Sequence, residues 1–465
     1  MIIHKTAPLL AGAFLLTVSL QASAQSFTTG DLIVSTYGDL TGTSITDGEI
    51  TPITLEEFSL PTATSASLVL TDQLPTTGTG ANVGIVGEDG SSSEGTIQLS
   101  GNGEYLTIGG YDGNAAAQGI QAASNSDNGT HFAPGTAWGS STIALGQSAD
   151  TDVPRVESTI DANGDVDTST VLNDVYNTNN PRSVYSPDGT TFYISGQGAG
   201  VGDEGGIYTT TKGTNTTDGG AAPTPIYNVV STRNVTQYNG NTYYSADQNS
   251  SKKGTQTGIF EFTGSPTSTQ GTNTGTRLTP ASGIVNSKTV NFSPEAFTFA
   301  NATTLYVADT GDPKAGGTGD GGIQKWSLVN GTWALDYTLT NPNFVSPTLA
   351  PTAADGQTGF EAMTLQVVGN SVDIYAVSYT AGDADPNGLY AIVDNLSATT
   401  LPTGEDFTEL ESAPGTSDAG GEDYNFKGVS FAPAAVPEPS TLAMLIVALL
   451  GLVGVAWKRR GACHA

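Results

Sequence analysis

The chain has 465 residues and a formal net charge of −30, with 59 glycines, 23 prolines, three histidines and one cysteine. So acidic a surface repels nucleic acid and anionic lipid headgroups, because cation contacts to phosphate supply most of that affinity. The inventory also excludes cysteine nucleophiles, zinc clusters and histidine-based metal centres: His4 and His464 sit at the termini, the only cysteine is Cys463, and His131 stands alone in between.

The N-terminus opens with His4 and Lys5, continues through an apolar stretch at 7–20 and reaches the small-x-small pattern Ala22-Ser23-Ala24 before Gln25. That order is a secretory signal peptide, 1–24, and is set aside from fold reasoning. An uncleaved membrane helix fits less well, since the apolar stretch is short for a span of ~17 to 25 residues. The body of the chain, 25–433, carries a formal charge of −33 once Lys5 and the net +2 of Glu438, Lys458, Arg459 and Arg460 are removed. It contains no cysteine, so its stability rests on packing and hydrogen bonds. Abundant Gly, Ser, Thr, Asn and Asp with no helical periodicity predict many short strands joined by turns.

Internal repetition organises this body. The stretch RSVYSPDGTTFYIS from Arg182 matches RNVTQYNGNTYYSAD from Arg233 and EAFTFANATTLYVAD from Glu295, and a looser copy starts at Glu361. Each has an alternating strand, a tight turn and a second strand with an aromatic or Leu before Tyr. A Gly-rich loop and a third strand come next, as at Gly206-Ile-Tyr208, Gly258-Ile-Phe260, Gly322-Ile-Gln324 and Gly388-Leu-Tyr390, with a weaker fourth strand beyond. Four antiparallel strands at a period of about 50 to 67 residues predict an all-β fold of β-propeller type.

Earlier in the chain, 95–99 and 105–108 make one strand pair with outer strands at 155–160 and 166–171, and a long insertion at 114–153 interrupts them. The strand at 31–36, with 53–58 and 67–70 behind it, lacks an innermost partner. FKGVSF from Phe426 supplies it from the other end of the chain. Units starting near 94, 182, 233, 295, 361 and 427 give six four-stranded blades with a ring closed by N- and C-terminal strands, which removes the open edge. A seventh blade arises only if 155–171 begins its own unit.

Chemistry is sparser. His131 has no Gly-x-Ser-x-Gly or other triad motif around it. The loop from Asp161 to Asp167 superficially resembles a calcium loop, but Val166 stands where glycine is required and Leu172 where glutamate is required, so a hairpin turn explains it better. Loops after the second strands carry Asp309, Asp312 and Asp320 among others, weak candidates for a calcium ion, and no cofactor is otherwise implied. Arg182, Arg233, Glu295, Glu361 and Lys427 occupy equivalent positions at the start of successive inner strands, with Glu94 or Thr96 as the sixth. In a propeller these line the central channel, where they either pair internally or bind a small polar ligand.

The end of the chain reads Val436-Pro437-Glu438-Pro439-Ser-Thr, then sixteen uncharged residues at 442–457, then Lys458, Arg459 and Arg460. The apolar run reaches eighteen with Ser440 and Thr441, enough for an upright transmembrane helix across a ~30 Å hydrocarbon core. The basic cluster directs that end to the cytoplasm, leaving the body on the far side. Motif, span and basic tail, 434–465, resemble the PEP-CTERM sorting signal of bacterial exported proteins. The resemblance implies processing by an exosortase, a membrane-embedded cysteine protease, and release to the cell surface or an exopolysaccharide matrix. Two functions are expected from this: a non-enzymatic binding or scaffold module for polysaccharide or protein, or a polysaccharide hydrolase or lyase using carboxylates such as Glu295 and Glu361.

Overall fold

The structure is a computed structural model that describes residues 26–39, 50–88, 91, 94–115, 145–198, 205–228, 231–247, 257–269, 275–279, 292–311, 321–344, 356–380, 385–415 and 423–435. Ala22 and Ala24, His131, Asp312, Asp320 and everything from Val436 onward, including Pro437, Glu438, Pro439, the apolar run and Lys458, Arg459 and Arg460, lie outside the described residues. Among the described residues no helix is long and apolar enough to cross a membrane.

The first eight strands are β1 (Leu32–Asp39), β2 (Ile50–Thr62), β3 (Ser65–Gln73), β4 (Ile85–Glu88), β5 (Gln98–Leu99), β6 (Tyr105–Asp112), β7 (Arg155–Asp161) and β8 (Val166–Leu172). The repeats then fold as β9 (Pro181–Tyr185), β10 (Thr191–Gly196), β11 (Gly206–Thr211) and β12 (Thr224–Tyr227), and as β13 (Thr232–Tyr238), β14 (Asn241–Ala246), β15 (Gly258–Phe262) and β16 (Thr276–Thr279). Two more repeats come after them: β17 (Pro294–Asn301), β18 (Thr304–Asp309), β19 (Gly322–Val329) and β20 (Thr332–Leu339), then β21 (Gln357–Val368), β22 (Ser371–Thr380), β23 (Asn387–Asn395) and β24 (Thr408–Ala413). The last strand is β25 (Asp423–Phe431).

Each of the four middle repeats is its own four-stranded antiparallel sheet with the strands in chain order. The hairpins form where the sequence permits a backward turn: in the β13–β14 turn, Asn239 and Gly240 both take positive φ, which Asn and Gly tolerate best. The remaining nine strands form one sheet ordered β25-β1-β2-β4-β6-β7-β8, with β3 on β2 and β5 on β6. As the sequence implies, β25 pairs with β1 from Leu32↔Phe431 to Asp39↔Asp423, so the two ends of the described body share a sheet. The hairpin at Asp161 is also as expected: its carboxylate accepts from the Asn163 and Asp165 amides and closes the turn.

Strand β4 was not legible in the sequence. It pairs only at Ile50↔Glu88, Thr51↔Gly87 and Pro52↔Val86 on one side and at Ile85↔Asp112 and Val86↔Tyr111 on the other. Four residues give too few alternations to register as a strand, and only the flanking edges of β2 and β6 make the pairing favourable.

The middle strands of the sheets are buried on both faces, while the outer strands β3, β20 and β24 are partly to largely exposed. Along β22, Val372, Ile374 and Ala376 pack with Tyr306 and Ala308 of the preceding sheet, while Tyr375 and Val377 pack with Leu32, Val34 and Phe426 on the other side. Period-two alternation thus feeds two cores from one strand. At roughly 1.5–3 kcal/mol for each large apolar side chain fully buried, these seams dominate the stability. One seam is polar at its centre. Lys325 of β19 lies 2.8 Å from Asp394 of β23, both side chains fully buried, and the tyrosine hydroxyls of Tyr306 and Tyr337 also donate to Asp394.

Candidate functional site

Bulges place the five charged residues at the start of the repeats. Arg182 falls in the register skip between the pairs Pro181↔Gly196 and Ser183↔Ser195. Arg233 lies between Thr232↔Ala246 and Val235↔Tyr244, and Glu295 between Pro294↔Asp309 and Phe297↔Val307. Glu361 lies between Phe360↔Ser378 and Ala362↔Val377, and Lys427 between Thr36↔Phe426 and Ser35↔Gly428. A bulge leaves its extra residue out of the ladder and re-aims the side chain. The shared position read from sequence therefore has a shared backbone irregularity beneath it, for which the sequence carried no signal.

The sixth position is neither Glu94 nor Thr96. Ser195 Oγ donates to the Arg233 carbonyl at 2.9 Å, Ser245 Oγ to the Glu295 carbonyl at 2.6 Å, and Ser35 Oγ to the Gly95 carbonyl at 2.5 Å. By this repeated contact between neighbouring sheets, Gly95 occupies the sixth place. It has φ of +79°, and a Cβ there would lie 2.6 Å from Lys427 Cβ, so no charged side chain fits at this position.

The charges are engaged within the protein. Arg233 Nη1 lies 2.9 Å from Glu295 Oε1, and its Nη2 lies 3.8 Å from Asp247 Oδ2. Arg182 donates to Ser231 Oγ at 2.8 Å, to the Thr232 carbonyl at 3.1 Å and to Gln197 Oε1 at 2.7 Å. Burial, and then the Arg233 guanidinium, disfavour its charge. Lys427 Nζ donates to the Ser91 carbonyl at 2.9 Å, and Glu361 is buried. Glu94, also buried, accepts from the Tyr111 hydroxyl and from Asn180 Nδ2, and burial raises its pKa. Buried charges are costly unless paired, and here hydrogen bonds and ion pairs offset that cost.

Asp309 is an interior group. Its carboxylate accepts from the Ser293 amide at 2.9 Å, the Gly311 amide at 2.9 Å and Gln324 Nε2 at 2.7 Å. Among the described residues no three His, Cys, Asp or Glu side chains gather into a metal-binding group.

Beyond the collar of charges, five of the inner segments line a cavity of about 160 Å³. Gln98 reaches across this end from β5, its Nε2 donating to the Val184 carbonyl at 2.9 Å and the Val235 carbonyl at 3.1 Å. The third residue after each of four collar positions carries a hydroxyl: Thr236 after Arg233, Thr298 after Glu295, Thr364 after Glu361 and Ser430 after Lys427, and all four line the cavity. Reading the repeats for charge alone missed this tier, although the recurring Thr or Ser was present in the sequence.

Comparison with known proteins adds an address. The family described as PEP-CTERM protein-sorting motif matches residues 435–460. The chain thus carries an exosortase-type sorting signal, which implies export and transient anchoring at the C-terminus. No curated protein sequence matches the chain. Among solved structures, it is similar to a GH74 enzyme of Niastella koreensis at 13% identity and a TM-score of 0.37, covering 80% of this chain and 46% of that one. It is similar to TolB from Acinetobacter baumannii at 9% identity and a TM-score of 0.36, covering 86% and 67%. The chain therefore spans just under half the length of the first and two thirds of the second. Likenesses this loose carry no argument about the fold or the chemistry of this chain.

Proposed function

We propose that this is an exported, exosortase-processed surface or matrix protein whose body, 25–433, is a closed six-bladed propeller acting as a non-enzymatic binding or scaffold module. Its partner is an extracellular polysaccharide or protein, met by the loops between blades. The sorting motif at 435–460 is the observation that carries the reading. Six blades rather than seven are supported by β7 and β8, which extend the sheet of β6 instead of starting their own, so that β4 joins two four-stranded units into the nine-stranded sheet. Closure is supported by β25 beside β1. A binding role over a catalytic one is supported by the engagement of Glu295 with Arg233, which leaves that carboxylate ill placed to move protons. Incubating the full chain in detergent with a polysaccharide panel, and scoring both retention and release of reducing ends, tests this. Retention without new reducing ends is expected; turnover abolished by Glu295→Gln or Glu361→Gln would overturn it.

A further inference from the structure

We propose that the cavity between the inner strands is a binding site for one neutral sugar residue, either free or at the end of a glycan chain. This goes beyond a loop-borne binding role and does not require it.

The lining comes from β13, β17, β21, β25 and the segment leading into and through β5, and none of its side chains is charged. An ion of either sign would have no counter-charge there, and the collar charges are occupied with one another or with protein hydrogen bonds. The lining is nevertheless polar, with Asn234, Thr236, Thr298, Thr364 and Ser430 facing a common space. Neutral hydroxyl and amide groups converging from separate strands suit a ligand that both donates and accepts hydrogen bonds without carrying charge.

Asn234 supplies an independent sign of a missing partner. It is 5% exposed, and its Oδ1 is buried with no hydrogen-bond donor, although its backbone amide donates to Ser245 Oγ at 2.9 Å. A buried carbonyl with no donor is destabilising, so a ligand hydroxyl that donates to it recovers that loss. The cavity volume is about 160 Å³, below the ~300–1,000 Å³ typical of drug-sized sites, which limits the ligand to a single ring. Apolar wall is present too, from Ala296 and Ala362, the small residues directly after Glu295 and Glu361, which leave room for the faces of a sugar ring.

The test is ligand-observed NMR on the full chain in detergent, with a panel of neutral monosaccharides, matched oligosaccharides, and glucuronate as the charged control. Saturation transfer to at least one neutral sugar and none to glucuronate is expected. Free monosaccharide binding identifies a free sugar as ligand, and binding only by oligosaccharides identifies a chain end. Thr298→Val with Thr364→Val should weaken binding at least tenfold with an unchanged melting temperature, and Thr298→Ser with Thr364→Ser should restore it. No transfer to any sugar, or undiminished binding by the valine variant, would overturn the site. Sugar transfer lost in the valine variant with polysaccharide retention unchanged would support this site beside a separate loop-borne role, whereas transfer and retention both unchanged would remove this site alone.

Discussion

Glu157 shows how a single residue can set a pH dependence. Its side chain on β7 lies over Gly109, where a Cβ would stand 3.0 Å from Glu157 Oε2 and 3.1 Å from Val184 Cγ2, and neither carboxylate oxygen has a hydrogen-bond partner. Burial pushes its pKa up to about 8 against the ordinary 4.5, with Arg155 opposing. The folded state therefore holds a proton that the unfolded chain releases above pH 4.5, and stability falls as pH rises from there to about 8. At about 1.4 kcal/mol per unit this amounts to at most ~5 kcal/mol. Glu157→Gln should flatten that part of the melting-temperature profile and make the protein more stable than the parent at pH 8. Parallel profiles for parent and variant would refute it. Nothing in the sequence singled this residue out, since Glu157 looks like any strand glutamate until Gly109 and Val184 fold over it.

At the scale of elements, the polar seam between β19 and β23 is the informative contact. Lys325 Nζ donates to Asp394 Oδ2 at 2.8 Å, to the Tyr337 hydroxyl at 3.0 Å and to the Asn395 carbonyl at 2.6 Å. Burial and the adjacent Asp394 carboxylate push Glu405 up to about 7. Asp394→Asn leaves a buried ammonium uncompensated and should cost about 3–5 kcal/mol in denaturant unfolding. Adding Lys325→Met should recover part of that, but not all, because the asparagine keeps one acceptor oxygen where the aspartate offered two, so one of the Tyr306 and Tyr337 hydroxyls still loses its acceptor. A double variant no more stable than the single one would mean that the ion pair is not what holds this seam. The sequence showed both strands only as the third strands of their repeats, and the two charges were invisible as partners because 69 positions separate them.

For the whole molecule, the joint between β25 and β1 decides integrity. Phe431 pairs with Leu32, and only four residues separate it from the sorting motif at Val436. Truncation after Ala435 should leave a folded, soluble protein, whereas truncation before Phe426 removes the inner strand beside β1 and should lower the melting temperature by ten degrees or more. Equal melting of the two versions would contradict closure. The same joint shows which part of the architecture was legible: the shared sheet could be read because FKGVSF matches the start of a repeat that lacks its continuation. β4 and the bulges could not be read, because pairing at those places depends on neighbouring strands and not on local alternation.

By itself, the sequence determined the sorting signal, the all-β repeat and the equivalence of Arg182, Arg233, Glu295, Glu361 and Lys427, since each is a local pattern of residue type and spacing. Only the tertiary structure decided that these charges are spent on internal bonds, that Gly95 takes the sixth place, and that the hydroxyl tier beyond them faces open space. Those outcomes depend on which strand edges meet across the molecule, and side-chain pairing between sheets far apart in sequence leaves no local trace in the chain.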